Sequence, residues 1–201
     1  MSREFAIVEE TALYRGFFSL TRFRLRHTLY RGGWSDIIER ELFHRGRCVA
    51  VIPYDPITDR VVLIEQFRIG AIKDNRTPWL LEIVAGAVEE GETPEEVAHR
   101  EADEEAGCVN RELIPIYEFF TTPGGCSEQL SLFCGIVDAS DLGGHCGLVE
   151  EQEDILVRVV EFSEAINLLE HGEIDSAIPI IALQWLALNR DRLQRLHRGY
   201  S

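Results

Sequence analysis

Residues 86–108, GAVEEGETPEEVAHREADEEAGC, restrict the fold more than any other stretch of the chain. Thr93 and Glu96 form a T-x-x-E capping box, and Pro94 stands at the first helical position, where a missing N–H costs nothing. Gly107 stands where a left-handed residue usually closes a helix. These signals predict a short helix, bounded to within a residue or two, that starts just after a glycine-containing loop. Glu101, Glu104 and Glu105 are three and four residues apart and share one side of it. Carboxylates crowded in this way are unfavourable unless a cation lies against them. Magnesium suits such a face, because it takes hard oxygen ligands and binds carboxylates together with substrate phosphates. The other reading of any Glu-rich helix is a solvated acidic surface.

Composition sets the outer limits. The 201 residues suffice for one sizeable core, or one domain with a small appended element. A hydrophobic fraction of 45% and a charged fraction of 27% are ordinary for a globular protein. The net charge of −15 argues against a nucleic acid or an anionic membrane as partner, since both call for a basic surface. It leaves small phosphorylated substrates open, because bound divalent cations reverse the local sign. Cys48, Cys108, Cys126, Cys134 and Cys146 show no C-x-x-C pair and no zinc spacing, which suits reduced thiols in a cytosol. With no transmembrane-length apolar run and no signal peptide, a cytoplasmic protein is expected.

Residues 17–30 alternate apolar and polar, Gly32-Gly33 offers a turn, and 34–43 follow as a second strand. The expectation is a two-stranded ribbon with an arginine-rich face. Segments 47–54 and 60–67 are β-branched runs joined by the D-P-x-T-D turn at 55–59, which predicts a hairpin. Strands are further expected at 79–84, 113–120, 129–137 and 155–162, a glycine-rich loop at 141–147, and helices at 163–169 and about 175–196. A mixed sheet between helices, an α/β/α sandwich, accommodates this order. Residues 1–46 would form the appended ribbon and 47–201 the main domain.

Gly86, Glu92, Arg100, Glu101, Glu104, Glu105 and Gly107 reproduce G-x5-E-x7-R-E-U-x-E-E-x-G-U, where U is apolar; Ala102 and Cys108 fill the U positions with small residues. The segment resembles the Nudix box, the loop–helix signature of hydrolases acting on nucleoside diphosphates linked to another group. Pro123, fifteen residues after Cys108, resembles the marker of the ADP-ribose pyrophosphatase branch. Segments LYRGFF (13–18), RELFHRG (40–46), VVLIEQFR (61–68), TPGG (122–125) and EEQEDI (150–155) are similar to bacterial members of that branch, as are IDSA and IALQWL near the C-terminus.

The resemblance implies hydrolysis of ADP-ribose to AMP and ribose 5-phosphate with Mg2+, for which Mn2+ can substitute. Metal ions are needed because diphosphate oxygens repel a nucleophile until their charge is neutralised. Glu101 and Glu105 are best placed as ligands, the Ala85 carbonyl is a further ligand by resemblance, and Glu104 is a supporting or alternate one. Glu92 and Arg100 read as an ion pair holding the glycine loop, and Glu82 as a packing carboxylate. Of the acidic cluster Glu150, Glu151, Glu153 and Asp154, Glu151 matches the mobile glutamate that accepts the proton of the attacking water. Glu153 matches a carboxylate completing the metal cluster; chemistry alone leaves Glu150, Glu151 and Glu153 open as the base.

For the substrate, Phe17 or Phe18 could stack the adenine. Arg40, Glu41, Arg45, Arg68, Ala87, Thr122, Pro123, Gly124 and Glu128 align with residues that contact ADP-ribose in the family. Arginine suits phosphate through its planar fork. In the resembling enzymes the N-terminal ribbon is exchanged between two subunits, which implies a homodimer. Two alternatives stand beside this: a pyrophosphatase for another nucleoside diphosphate sugar such as GDP-mannose, and a non-catalytic nucleotide sensor. The intact box carboxylates and the absence of a basic helix-turn-helix oppose the second.

Overall fold

A computed structural model describes residues 3–73, 77–148, 150 and 152–198. The chain divides into two compact units, one made of residues 1–47 with 119–129 and the other of 48–118 with 130–201.

The smaller unit is built on β1 (Phe5–Arg15), β2 (Ser19–His27) and β3 (Ile38–His44), an antiparallel sheet in that order. The two-stranded expectation is therefore corrected to three strands. β1 escapes a period-two search because its register against β2 slips after Ile7 and again after Ala12, and each slip throws the following side chains out of alternation. The strand expected over 17–30 starts only at Ser19, so Phe17 and Phe18 lie in the turn between β1 and β2. The segment 119–129 joins this unit through the parallel Phe43–Cys126 bridge and the Ser127 N–H donated to the Phe43 carbonyl at 3.0 Å.

The larger unit carries the remaining strands: β4 (Arg47–Asp55), β5 (Arg60–Phe67), β6 (Trp79–Glu82), β7 (Val84–Ala87), β8 (Glu112–Phe120), β9 (Gln129–Ile136), β10 (Gly144–Cys146) and β11 (Ile155–Glu161). Their order is β10-β11-β5-β4-β9-β8, with β6 on β5 and β7 on β4. The β10–β11, β11–β5 and β5–β4 pairs are antiparallel, whereas β9 and β4 advance together, the Gln129 N–H reaching the Gly46 carbonyl near their start and the Val137 N–H the Tyr54 carbonyl near their end, so the sheet is mixed. The predicted β4–β5 hairpin forms around Asp55, which accepts the N–H groups of Ile57 (2.8 Å) and Thr58 (3.1 Å) and the Thr58 hydroxyl (2.7 Å). The expected single strand at 79–84 is two: β6 follows β5 and, after Ile83, β7 follows β4. β4 and β5 pair directly only at Tyr54–Val61 and Asp55–Arg60, and β6 and β7 take over where they diverge. The glycine-rich segment expected as a loop contains β10, three residues long and paired to β11.

Among the described residues three α-helices complete the unit: α1 (Pro94–Ala106), α2 (Phe162–Glu170) and α3 (Ala177–Arg198). On one face of the sheet Val62, Ile64, Val84 and Val157 pack with Val97, Ala98, Ala102 and Ala106 of α1. Val61 and Leu63 alternate to the other face and are equally buried. There Arg190 and Gln194 of α3 reach Asp59, and Gln194 also reaches the Tyr54 hydroxyl. Helices on both faces make the α/β/α arrangement expected from the sequence. Among the described residues no helix is long and apolar enough to cross a membrane.

Candidate active site

Helix α1 is held at both ends. The Thr93 hydroxyl accepts the Glu96 N–H at 3.3 Å and the Glu96 carboxylate accepts the Thr93 N–H at 2.8 Å, so the capping box is complete. Gly107 closes the helix in the left-handed region at φ 61°. The helix then packs so closely on β7 that a Cβ on Gly86 would lie 1.9 Å from Glu101 Oε1. Only glycine lets the Glu101 carboxylate rest against that backbone.

Glu105 is almost fully buried, and its Oε2 accepts the Ala85 N–H at 2.9 Å. Burial pushes its carboxyl up to about 8; the Ala85 N–H and the Arg68 charge pull it down, while the Glu101 and Glu153 charges add to the rise. Burial also raises Glu101, against the lowering effect of Arg100, with Glu104 and Glu153 adding to the rise. The guanidinium of Arg100 is the hub of the charges on the helix. Its Nε reaches Glu92 Oε1 at 3.2 Å, and its Nη1 reaches Glu101 at 2.8 Å and Glu104 at 3.1 Å. Burial works against the Arg100 charge, and the three glutamates outweigh it. Glu92 also accepts the Glu89 N–H at 3.0 Å, so the Glu92–Arg100 pair read from the sequence ties the 89–92 turn to the helix.

Arg68, two residues beyond Gln66 of β5, bonds Glu82 of β6 at 2.7 Å. Glu153 faces back on its own loop, where its N–H meets the Leu148 carbonyl at 3.1 Å. Glu151, the expected base, lies outside the described residues. Ala87 ends β7 opposite Cys48.

The donor set suits a hard divalent cation. Burial and mutual repulsion raise the Glu101 and Glu105 carboxyls despite Arg100 and Arg68, and a divalent cation beside them would favour their charged forms. Among the described residues no three acidic, histidine or cysteine side chains are yet gathered as a metal cage. Glu101 and Glu104 are turned to Arg100, and Glu105 to the Ala85 N–H.

The remaining expected substrate residues belong to the smaller unit. Phe17 is 95% exposed and meets Phe18 edge-on at 4.7 Å. Phe18 packs on Phe43 at 5.0 Å and lies under the Arg45 guanidinium, also at 5.0 Å. Arg45 Nε bonds Glu128 at 2.6 Å, and Glu128 in turn accepts the Thr121 hydroxyl at 2.8 Å. Arg40 and Glu41 are exposed on β3, where they pair with Phe23 and Arg22 of β2. Thr122, Pro123 and Gly124 make a turn in which the Thr122 carbonyl accepts the N–H groups of Gly125 and Cys126 at 3.2 and 3.0 Å. Arg45 and Glu128 are 83 residues apart, and no sequence signal pairs them.

Residues 44–186 match the model of the NUDIX domain. The ADP-ribose pyrophosphatase of Escherichia coli (strain K12) is 49% identical over 188 residues, covering 94% of this chain and 90% of that protein. That of Haemophilus influenzae is 46% identical over 196 residues, covering 96% and 90%. A GDP-mannose pyrophosphatase of Cronobacter sakazakii is 35% identical over 151 residues, covering 75% and 78%. A crystal structure described as an ADP compounds hydrolase superposes with a TM-score of 0.68 at 20% identity, covering 92% of this chain and 95% of that one, which shows the shared fold. With the box helix, its glycine loop and its buried carboxylates in place, the chain belongs to the NUDIX family.

Proposed function

We propose that the protein hydrolyses the pyrophosphate bond of ADP-ribose to AMP and ribose 5-phosphate. The observation that carries this is the pair Glu101 and Glu105, fixed against Gly86 and Ala85 of β7 in a chain 49% identical over 94% of its length to an ADP-ribose pyrophosphatase. Mg2+, or Mn2+ in its place, would neutralise the diphosphate oxygens and lower the pKa of the attacking water. Glu101, Glu105, Glu153 and the Ala85 carbonyl would hold it, with Glu104 as a further carboxylate on the same helix. In the reaction the water oxygen bonds to one phosphorus, the bridging P–O bond breaks, and Glu151 takes the proton of the water. Arg68, held in place by Glu82, would meet a phosphate oxygen.

On the smaller unit, Phe17 offers an open ring for adenine and Arg45 a cation already aimed by Glu128. Phe18, Arg40, Glu41, Ala87, Thr122, Pro123 and Gly124 would complete the contacts. The exposed apolar residues of β1 support exchange of the ribbon within a homodimer. Five cysteines with no C-x-x-C pair and no zinc spacing suit a reducing cytoplasm.

Incubation with ADP-ribose and magnesium, followed by product analysis, tests the assignment. AMP and ribose 5-phosphate are expected. No turnover of ADP-ribose with brisk turnover of GDP-mannose would overturn the substrate and leave the chemistry standing.

A further inference from the structure

The last carbonyls of an α-helix have no partner within the helix and must find one outside it. At the end of α1 the Gly107 N–H serves Ala102 and Asp103, and the Cys108 N–H serves Ala102 again. The Glu104 carbonyl is served from elsewhere: it accepts the Gly147 N–H at 3.3 Å. Gly147 directly follows β10, whose last residue, Cys146, pairs with Ile155, the first of β11. The connection between these strands contains Glu153, and Gly147 stands at its mouth. Its φ of +102° is closed to L side chains at ordinary cost. A Cβ there would also lie 2.9 Å from the Glu153 Cβ and 3.0 Å from the Glu153 carbonyl oxygen. The neck is pinched further by the Glu153 N–H on the Leu148 carbonyl at 3.1 Å. One residue thus touches both the box helix and the backbone that carries Glu153.

We propose that Gly147 is a positioning residue: by bonding the Glu104 carbonyl and packing without a Cβ on Glu153, it sets where the Glu153 carboxylate stands relative to the glutamates of α1. This rests on the reading of Glu153 as a metal-site carboxylate. Gly144 supplies an internal control. It lies in the same hairpin, has an equally forbidding φ of +97°, and has nothing within 4 Å of its Cβ direction. Substitution there imposes the same backbone strain without touching Glu153.

The test is magnesium binding measured by calorimetry without substrate, and the magnesium dependence of ADP-ribose hydrolysis, for Gly147→Ala, Gly144→Ala, Glu153→Gln and the Gly147→Ala/Glu153→Gln double variant. Gly147→Ala is expected to weaken magnesium binding about 10–100-fold, the usual effect of disturbing a residue that orients a ligand. Excess magnesium should restore turnover, with KM for ADP-ribose then unchanged. Gly144→Ala should bind magnesium as the parent does, and the double variant should bind no worse than Glu153→Gln alone, because both changes act through one carboxylate. If Gly147→Ala does not fold, Gly147→Asn, which tolerates left-handed backbone better, takes its place with the same expectation. Unchanged magnesium binding in the Gly147 variant, an equal loss in Gly144→Ala, or full additivity in the double variant would overturn the positioning role. If instead Glu153→Gln itself binds magnesium normally, the assignment of Glu153 falls, and the inference with it.

Discussion

The two units keep their strands in opposite ways. In the larger one, Val49, Ala50, Val51 and Ile52 run through the sheet with no more than 1% exposure, covered on both faces. In the smaller one, Phe5, Ile7, Val8 and Tyr14 of β1 are 50–72% exposed. Each fully buried Val, Leu or Ile contributes about 1.5–3 kcal/mol, so burial holds the first sheet together. The second relies on its strand pairing and on surface contacts: Arg24 with Glu9 at 3.0 Å, Arg3 over Tyr30 and Arg26 over Trp34. Contacts of that kind are worth about 1 kcal/mol or less when exposed. The difference teaches where function can tolerate change. The larger unit holds charged groups against a buried sheet, and the smaller one presents rings and arginines on an open surface.

Substitutions on the two units should therefore fail differently. The largest effect is expected from Glu105→Gln and Glu101→Gln. Each removes an anionic metal ligand and should lower turnover on the order of 10³-fold or more, several kcal/mol of transition-state stabilisation. Thermal melting in metal-free buffer should hold steady or rise, since each change replaces a carboxyl whose charged form burial already disfavours with a neutral amide, and the amide oxygen at 105 can still accept the Ala85 N–H. Near-parental turnover in both variants would sink the metal-platform reading.

Glu151→Gln comes next, with a loss of roughly 10²–10⁴ in turnover if Glu151 is the base. Metal affinity should barely change, and activity should partly recover as the pH is raised, because hydroxide then replaces the water the base would activate. Glu153→Gln should instead be rescued by magnesium. An exchange of these two behaviours would move the base to Glu153.

A third change probes rigidity away from the chemistry. Asp59 accepts the Tyr54 hydroxyl at 2.7 Å and Gln194 at 2.8 Å, and pairs with both arms of Arg190, so it pins α3 to the β4–β5 turn. Burial alone would raise its carboxyl, but the bonds from Arg190 and Tyr54 outweigh that and hold it below the usual range. Asp59→Asn keeps a residue that tolerates the φ of 61°, removes the charge and turns one of the two acceptor oxygens into an NH2 donor facing other donors. A loss of about 2 kcal/mol at pH 7, read by denaturant unfolding, is expected, with kcat unchanged. Because the folded pKa is depressed, the stabilisation is present above the unfolded value of about 3.9 and is lost as the pH falls through the folded one. The acid limb of the parent's stability curve should therefore flatten in Asp59→Asn. An identical limb in both proteins would remove Asp59 from the account.

The smallest effect should come from the open unit. Phe17→Ala leaves the melting temperature alone, because the ring is 95% exposed. It should raise KM for ADP-ribose by about 5–100-fold, the worth of one base–aromatic stack. A drop in kcat at unchanged KM would show that the ring acts on the chemistry, and the division between a fixed and an open unit would lose its sharpness.

Local chemistry was legible without coordinates. Thr93, Pro94, Glu96 and Gly107 set the helix from Pro94 to Ala106, because capping is decided by residues a few positions apart. The spacing of Glu101, Glu104 and Glu105 placed three carboxylates on one side for the same reason, and the D-P-x-T-D turn set the β4–β5 hairpin. What tertiary structure alone decided depends on contacts between distant segments. β1 was hidden because two register slips destroy its alternation, and β10 because a three-residue strand in a glycine-rich run has no period. The split of 79–87 between two different strands, the Arg45–Glu128 pair and the bond from Gly147 to the end of α1 join residues up to 83 positions apart. The charge state of Glu105 belongs with these. Sequence supplied a carboxyl group, and the packing of α1 on β7 removed the water that would have kept its pKa ordinary.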